Sequence, residues 1–202
     1  MENMTETGMK RKASIARKTN ETDIKLDFAL DGAGQHLIDT GVPFLNHMLT
    51  LTTVHGFFDM SLKADGDIEI DDHHTVEDIG IVFGQAIGQA LASKAGIARY
   101  ASSYVPMDET LVRVVIDVSN RPYLYYDVPV VEQKLGTFDS CLVKEFFRAV
   151  SLYAGLTLHI EMLHGENGHH IVEAVFKAFG RALNEATQSL GTNQALSSKG
   201  CL

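Results

Sequence analysis

The sequence predicts an α+β protein built from two similar halves, and three observations carry that prediction. His73-His74-Thr75-Val76-Glu77 returns as His169-His170-Ile171-Val172-Glu173, an offset of 96 residues in a chain of 202. The same offset lays Phe83 on Phe179, Gly84 on Gly180 and Ala86 on Ala182, so the repeat carries an apolar frame with it. Around each copy, short alternating stretches are interleaved with stretches of helical apolar period. Each half reads ββαββα, with the halves expected at 13–95 and 96–192 and tails at 1–12 and 193–202. No low-complexity linker separates the halves, so they are expected to share an interface and form one compact unit.

The elements follow in order. Ala13–Arg17 is a short strand candidate, and Thr22–Leu30 alternates Ile24, Leu26, Phe28 and Leu30 onto one face. Asp31-Gly32-Ala33-Gly34 is a turn, because glycine tolerates backbone angles that other residues resist. Pro43 opens a helix in which Phe44, Leu45, Met48 and Leu51 recur at helical spacing; His47 lies within it and His55 near its end. Phe58, Met60 and Leu62 alternate, Gly66 turns the chain and Ile68 and Ile70 alternate again, which reads as a hairpin. A helix rich in small and apolar residues then runs from the first HHxxE to about Ala92. Ala95–Pro106 reads as the connection between halves. Leu111–Val118 and Tyr123–Val130 are strands, Phe138–Ala154 has a helical period, and Leu156, Leu158 and Ile160 alternate ahead of the second HHxxE helix.

Composition excludes several classes of function. With 45% hydrophobic and 21% charged residues, the chain can bury a core as an ordinary globular protein. A net charge of −9 argues against a nucleic-acid partner, although local basic spots can still hold a small anion. Cys141 and Cys201 form no CxxC and no disulfide ladder, which points to a reducing, cytoplasmic home. No apolar run reaches the roughly 20 residues of a membrane span, and the polar first dozen residues do not read as a secretory signal but as a frayed tail.

The repeated HHxxE carries the chemistry. At a helix start the first histidine and the glutamate share a face, while the second histidine points about 100° away. One histidine can therefore join the glutamate on one ion while its neighbour reaches a second. Imidazole with carboxylate suits Mn²⁺, Fe²⁺ or Zn²⁺ rather than Ca²⁺. Solvated histidines at a helix start account for one such motif; its duplication inside a matching frame favours metal. His47 and Glu145 precede the two motifs by nearly equal spacings, on corresponding helices, and would complete the ligand shells. His159 alternates with apolar neighbours in a strand and can line a pocket or merely fill it. Arg99, Arg121, Lys177 and Lys199 are the cations suited to a phosphate, though their spacing alone does not assemble them.

Together DDHHTVEDIG, GENGHHIVEAVFKAFGRAL, FLNHML, GIARY, PMDETL and the terminal SSKG resemble the imidazoleglycerol-phosphate dehydratases of histidine biosynthesis, from about Ala13 to Leu202. The resemblance implies halves that are each a four-stranded sheet with two helices on one face, as in the second domain of ribosomal protein S5. It implies a lyase that dehydrates imidazole glycerol phosphate to imidazole acetol phosphate, with two Mn²⁺ ions per site binding the substrate's imidazolate. It also implies a homo-oligomer of 24 chains with sites between subunits. Carried over by motif, the metal ligands are His47, His73, His74, Glu77, Glu145, His169, His170 and Glu173. Glu145 stands where many relatives of this resemblance have histidine, in an HFF motif, and others glutamate, in EFF; Asn46 replaces a commoner aspartate, and SSKG a commoner STKG. Substrate contacts fall on Glu21, His47, His55, Arg99, Arg121, Lys177, Ser198 and Lys199, with Gln35 a looser match. Catalytic roles fall on His74, His170 and a carboxylate that accepts a proton, either Glu21 or Glu173.

Two other readings compete from the residues alone. Nine histidines on an acidic chain would also suit a metal-storage oligomer, which predicts more than about two ions per chain and indifference to Arg99 or Lys199 substitution. Paired His/Glu sites also suit a metal-dependent hydrolase, which predicts phosphoester cleavage without dehydration.

Overall fold

The computed structural model describes residues 11–200. Most of the tail expected at 1–12, and residues 201–202 of the tail expected at 193–202, lie outside the described residues. The first part of the chain gives β1 (Lys12–Lys18), β2 (Thr22–Ala29), β3 (His36–Asp39), α1 (Pro43–Gly56), β4 (Asp59–Gly66) and α2 (His73–Leu91). The second gives β5 (Tyr100–Met107), β6 (Thr110–Asp117), β7 (Tyr123–Asp127), the small hairpin β8 (Lys134–Leu135) and β9 (Phe138–Asp139), α3 (Leu142–Ala154), β10 (Thr157–His164) and α4 (Gly168–Ala186). The sheets have matching orders, β1-β2-β4-β3 and β5-β6-β10-β7. In each, the last two strands of the order are parallel, so a helix makes the crossover between them: α1 from β3 to β4, α3 from β7 to β10.

The α+β class and the two four-stranded sheets agree with the sequence, but four local expectations do not. Three strands of the four-stranded sheet, not two, precede the first long helix of each half, and in the second half the small hairpin β8–β9 comes before it as well. Ile68 and Ile70 form no second arm of a hairpin; β4 already pairs with β2 on one side and β3 on the other, leaving no free edge. They lie in a turn instead, 42% and 69% exposed. The stretch expected as a connection, Ala95–Pro106, contains β5, whose inward face is only Ala101, Ser103 and Val105, too small to stand out as an apolar alternation. Phe138 belongs to β9, so α3 starts at Leu142.

β2 turns Ile24, Leu26 and Phe28 inward, and β6 turns Val112, Val114 and Ile116 inward. Against these faces lie α2 on β1 and β2, and α4 on β5 and β6. The helices then pair across the halves, α1 with α4 and α2 with α3, so the two helical layers face each other over one core. Phe147 meets Phe176 and Phe179 with ring centroids 4.9 and 5.1 Å apart. Burying each such ring stabilises the fold by roughly 2–3 kcal/mol. The close approach of the helices depends on the repeated glycines. A Cβ on Gly180 would lie 2.5 Å from the Thr52 carbonyl oxygen of α1, and one on Gly84 2.9 Å from the Val150 carbonyl oxygen of α3. Among the described residues no helix is long and apolar enough to cross a membrane.

Candidate active site

The α1–α4 pair brings together the first group. Asn167 caps α4, its side-chain oxygen accepting from the backbone N–H of His169 at 2.9 Å and of His170 at 3.4 Å. That cap fixes the first turn, in which His169 Nε2 lies 3.1 Å from Glu173 Oε2. From α1, His47 Nε2 reaches the same oxygen at 3.4 Å. The other oxygen, Oε1, takes the Lys177 ammonium at 2.5 Å. Ligand atoms of His47, His169 and Glu173 all lie within 4.8 Å of one another. Burial pushes the Glu173 carboxyl up, but Lys177 and the bonds from His169 and His47 outweigh it and hold the group below the usual carboxylate range. Two imidazoles and one carboxylate at this spacing fit a divalent transition ion.

The α2–α3 pair makes a second group by the same plan. Glu145, in the first turn of α3, takes the place that His47 has on α1, opposite His73 and Glu77 on α2. His73 Nε2 stands 3.8 Å from Glu77 Oε2. Arg148, one turn past Glu145, lies between the two acids, with Nη2 2.6 Å from Glu145 Oε2 and 3.2 Å from Glu77 Oε1.

The second histidine of each motif points elsewhere, with ring centroids 6.1 Å apart for His73 and His74 and 6.4 Å for His169 and His170. Each is oriented through Nδ1 by a carboxylate at 2.9 Å, His74 by Asp67 and His170 by Glu109. Those bonds lift both imidazoles above their ordinary range. Glu109 is itself anchored, its Oε1 accepting from the backbone N–H of Asn167 at 2.9 Å and Glu166 at 3.3 Å. A carboxylate on one ring nitrogen that leaves the other nitrogen free is the usual support for a metal-ligating histidine. Glu21 sits in the β1–β2 turn, its Oε1 3.9 Å from His74 Nε2. The turn is pinned by Thr22, whose hydroxyl donates to the buried Asp78 at 2.5 Å.

Arg99, Arg121, Ser198 and Lys199, scattered in sequence, line one cavity of about 880 Å³. Asp117 gathers the arginines, accepting from Arg99 Nε at 2.8 Å and Arg121 Nη2 at 3.5 Å. Arg99 is buried and held at φ 71°, where a residue with a side chain is strained. Its Nη1 donates to the Leu196 carbonyl at 2.5 Å, tying the C-terminal segment to the cavity wall. Gly96 admits that segment, since a Cβ there would lie 1.8 Å from the Thr192 carbonyl oxygen. Two arginines gathered on one carboxylate, with Lys199 in the same lining, suit an anion such as a phosphate.

Not every expected residue joins these groups. His55 lines a separate cavity of about 310 Å³ beside Arg181, where burial and the charges of Lys177 and Arg181 hold its imidazole below the ordinary range. Gln35 lines another of about 420 Å³ along β2 and β4. His159 lies on the outer face of the second sheet, with ring centroids 5.5 Å from Tyr125 and 6.0 Å from Tyr123. Sequence reading assigned nothing to Asp67, Glu109, Asp117, Arg148 or Arg181. One of these was legible: Asn20-Glu21-Thr22 and Asp108-Glu109-Thr110 are matching turns, so Glu109 is the counterpart of Glu21.

A model of the imidazoleglycerol-phosphate dehydratase family matches residues 40–183, most of the chain and both HHxxE motifs. The chain belongs to the imidazoleglycerol-phosphate dehydratase family. It is 77% identical over 192 residues to the imidazoleglycerol-phosphate dehydratase of Desulfotalea psychrophila, covering 95% of this chain and 96% of that one. It is 58% identical over 180 residues to the enzyme of Acetivibrio thermocellus, covering 89% and 92%. The crystal structure of the Staphylococcus aureus dehydratase superposes with a TM-score of 0.80 at 46% identity, covering 87% of this chain and 98% of that one. The Pyrococcus furiosus dehydratase in complex with (S)-C348 gives 0.81 at 37% identity, covering 93% and 100%. The family makes the chain an enzyme, a dehydratase of histidine biosynthesis acting on a small molecule.

Proposed function

We propose that the chain dehydrates imidazole glycerol phosphate to imidazole acetol phosphate at a site holding two Mn²⁺ ions, built between subunits of a homo-oligomer of 24 chains. The observation that carries this reading is the convergence of His47, His169 and Glu173 from two helices onto one point. His73, Glu77 and Glu145 are the corresponding ligands on the other helix pair, and His74 and His170 present their Nε2 atoms to ions shared with a neighbouring chain. Bound there, the ions would act as Lewis acids on the substrate's imidazole and fix its orientation.

The need for a second chain has a geometric support. Arg99 N–H donates to the Ala186 carbonyl, at the C-terminal end of α4, whereas His169 and Glu173 lie in its first turns. Along the helix that separates the anion cavity from the first ligand group by about 20–25 Å, from the rise per residue. The second group is as remote: Asn120 of the cavity meets Lys94 just past the C-terminal end of α2, while His73 opens that helix. An imidazole on a phosphorylated glycerol arm is far shorter than either span, so ring and phosphate cannot reach both within one chain. Supplied by a neighbour, Arg99, Arg121, Ser198 and Lys199 would hold the phosphate and set the orientation of the arm.

The proton acceptor is Glu21 rather than Glu173. Both oxygens of Glu173 already serve, one on Lys177 and one on the two imidazoles. Glu21 is an exposed carboxylate at a pinned turn, beside His74, and free to meet a proton on the carbon next to the bound ring. Lys177 and the cations of the cavity favour the charge that develops as the hydroxyl leaves. Manganese-loaded protein should convert imidazole glycerol phosphate to imidazole acetol phosphate, and chelation should stop it. No product from assembled protein carrying about two ions per chain would sink the proposal.

A further inference from the structure

The two ligand groups share a plan but differ in how a cation meets their acids. In the first, Lys177 bonds Oε1 of Glu173 and leaves Oε2 to face His47 and His169. In the second, a single guanidinium nitrogen of Arg148 contacts both acids, Glu145 at 2.6 Å and Glu77 at 3.2 Å. The repeat explains the difference. Where His47 corresponds to Glu145, Arg148 corresponds to Thr50, and Lys177 corresponds to Ile81. The second group thus has a carboxylate where the first has an imidazole, and its cation lies on α3 rather than on the HHxxE helix.

We propose, on the metal reading given above, that Arg148 competes with the second ion for Glu77 and Glu145, so that the two groups of each chain fill in order. The His47, His169 and Glu173 group fills first. A guanidinium and a divalent ion that draw on the same carboxylates exclude or weaken each other, and linkage requires that whatever strengthens one weakens the other. Lys177 does not compete in this way, because it occupies the oxygen turned away from the imidazoles. The exposure of the two cations differs as well. The Lys177 side chain is 19% exposed and confined, whereas that of Arg148 is 59% exposed and can swing into water once an ion takes the acids. Exposure also limits the size of the effect: two partly exposed pairs change affinity about three- to tenfold.

The test uses full-length protein, stripped with chelator and titrated with Mn²⁺ by calorimetry, with electron paramagnetic resonance following free ion. Wild type should take up two ions per chain in unequal steps. In Arg148→Ala the second step should tighten about three- to tenfold and the first stay put. Arg148→Lys, which keeps a charge but reaches only one acid, should fall between. In a Glu145→His background, where only the Glu77 contact of Arg148 remains, Arg148→Ala should shift the second step less than it does in wild type. A second step unchanged or weakened in Arg148→Ala, with circular dichroism reporting a native fold, would overturn the competition and leave Arg148 a support of the ligands. Wild type that binds fewer than two ions would instead overturn the metal reading itself.

Discussion

The two ligand groups are the natural comparison within this molecule, because duplication gave both the same helices and the same HHxxE. On the α1–α4 side the acid is buried, with a side chain 10% exposed, and its cation is nearly as enclosed. On the α2–α3 side Glu77 is 34% exposed and its cation lies mostly in water. The shared geometry is what helix spacing enforces; the differences lie at positions that face the opposing helix and solvent, where either member of a pair can change without disturbing the core. The sheets behind them diverge in the same way. The outer face of the first carries Lys25, Lys63 and Asp65, whereas that of the second carries Tyr104, Tyr123, Tyr125 and His159.

The largest expected effect tests whether both groups hold metal. His169→Ala and His73→Ala should each lower turnover about a thousandfold or more, with ion content falling by about one per chain. Full activity in either variant would break the equivalence of the two groups. Next come the helix contacts. Gly180→Ala should destabilise the protein by about 3 kcal/mol and Gly84→Ala by less, since both force a helix pair apart; chemical denaturation reads the difference.

A smaller effect separates the two cations. Lys177→Met leaves a buried carboxylate short of its counter-charge and should cost about 2 kcal/mol in chelator. Arg148→Met should cost under about 1 kcal/mol, because its pairs are solvated. Equal losses would mean that burial does not distinguish the groups. The smallest effect concerns the outward histidines, both held above the ordinary imidazole range by a carboxylate. The stability each contributes is full below the ordinary imidazole pKa and is lost as pH rises through the raised value. In chelator, Asp67→Asn and Glu109→Gln should bring the His74 and His170 titrations down, as followed by nuclear magnetic resonance, and flatten that part of the stability profile.

The duplication, the four helices and the histidine pairs are legible in the chain, because helical period and a repeated motif are written in adjacent residues. It also named Arg99, Arg121, Ser198 and Lys199 through their family motifs, but not the 880 Å³ cavity that they share. Packing sets α1 against α4 and α2 against α3, and so brings His47 to His169 rather than to His73, which is nearer in the chain. Only it placed β5 in a stretch with too little apolar contrast to be read, and denied Ile68 and Ile70 a strand for want of a free edge. The carboxylates that aim His74 and His170, and the arginine set between Glu77 and Glu145, arrive from distant parts of the chain. Local pattern records what a residue's own helix or strand buries. Which charges meet across two helices depends on how those helices pack, and no local spacing encodes that.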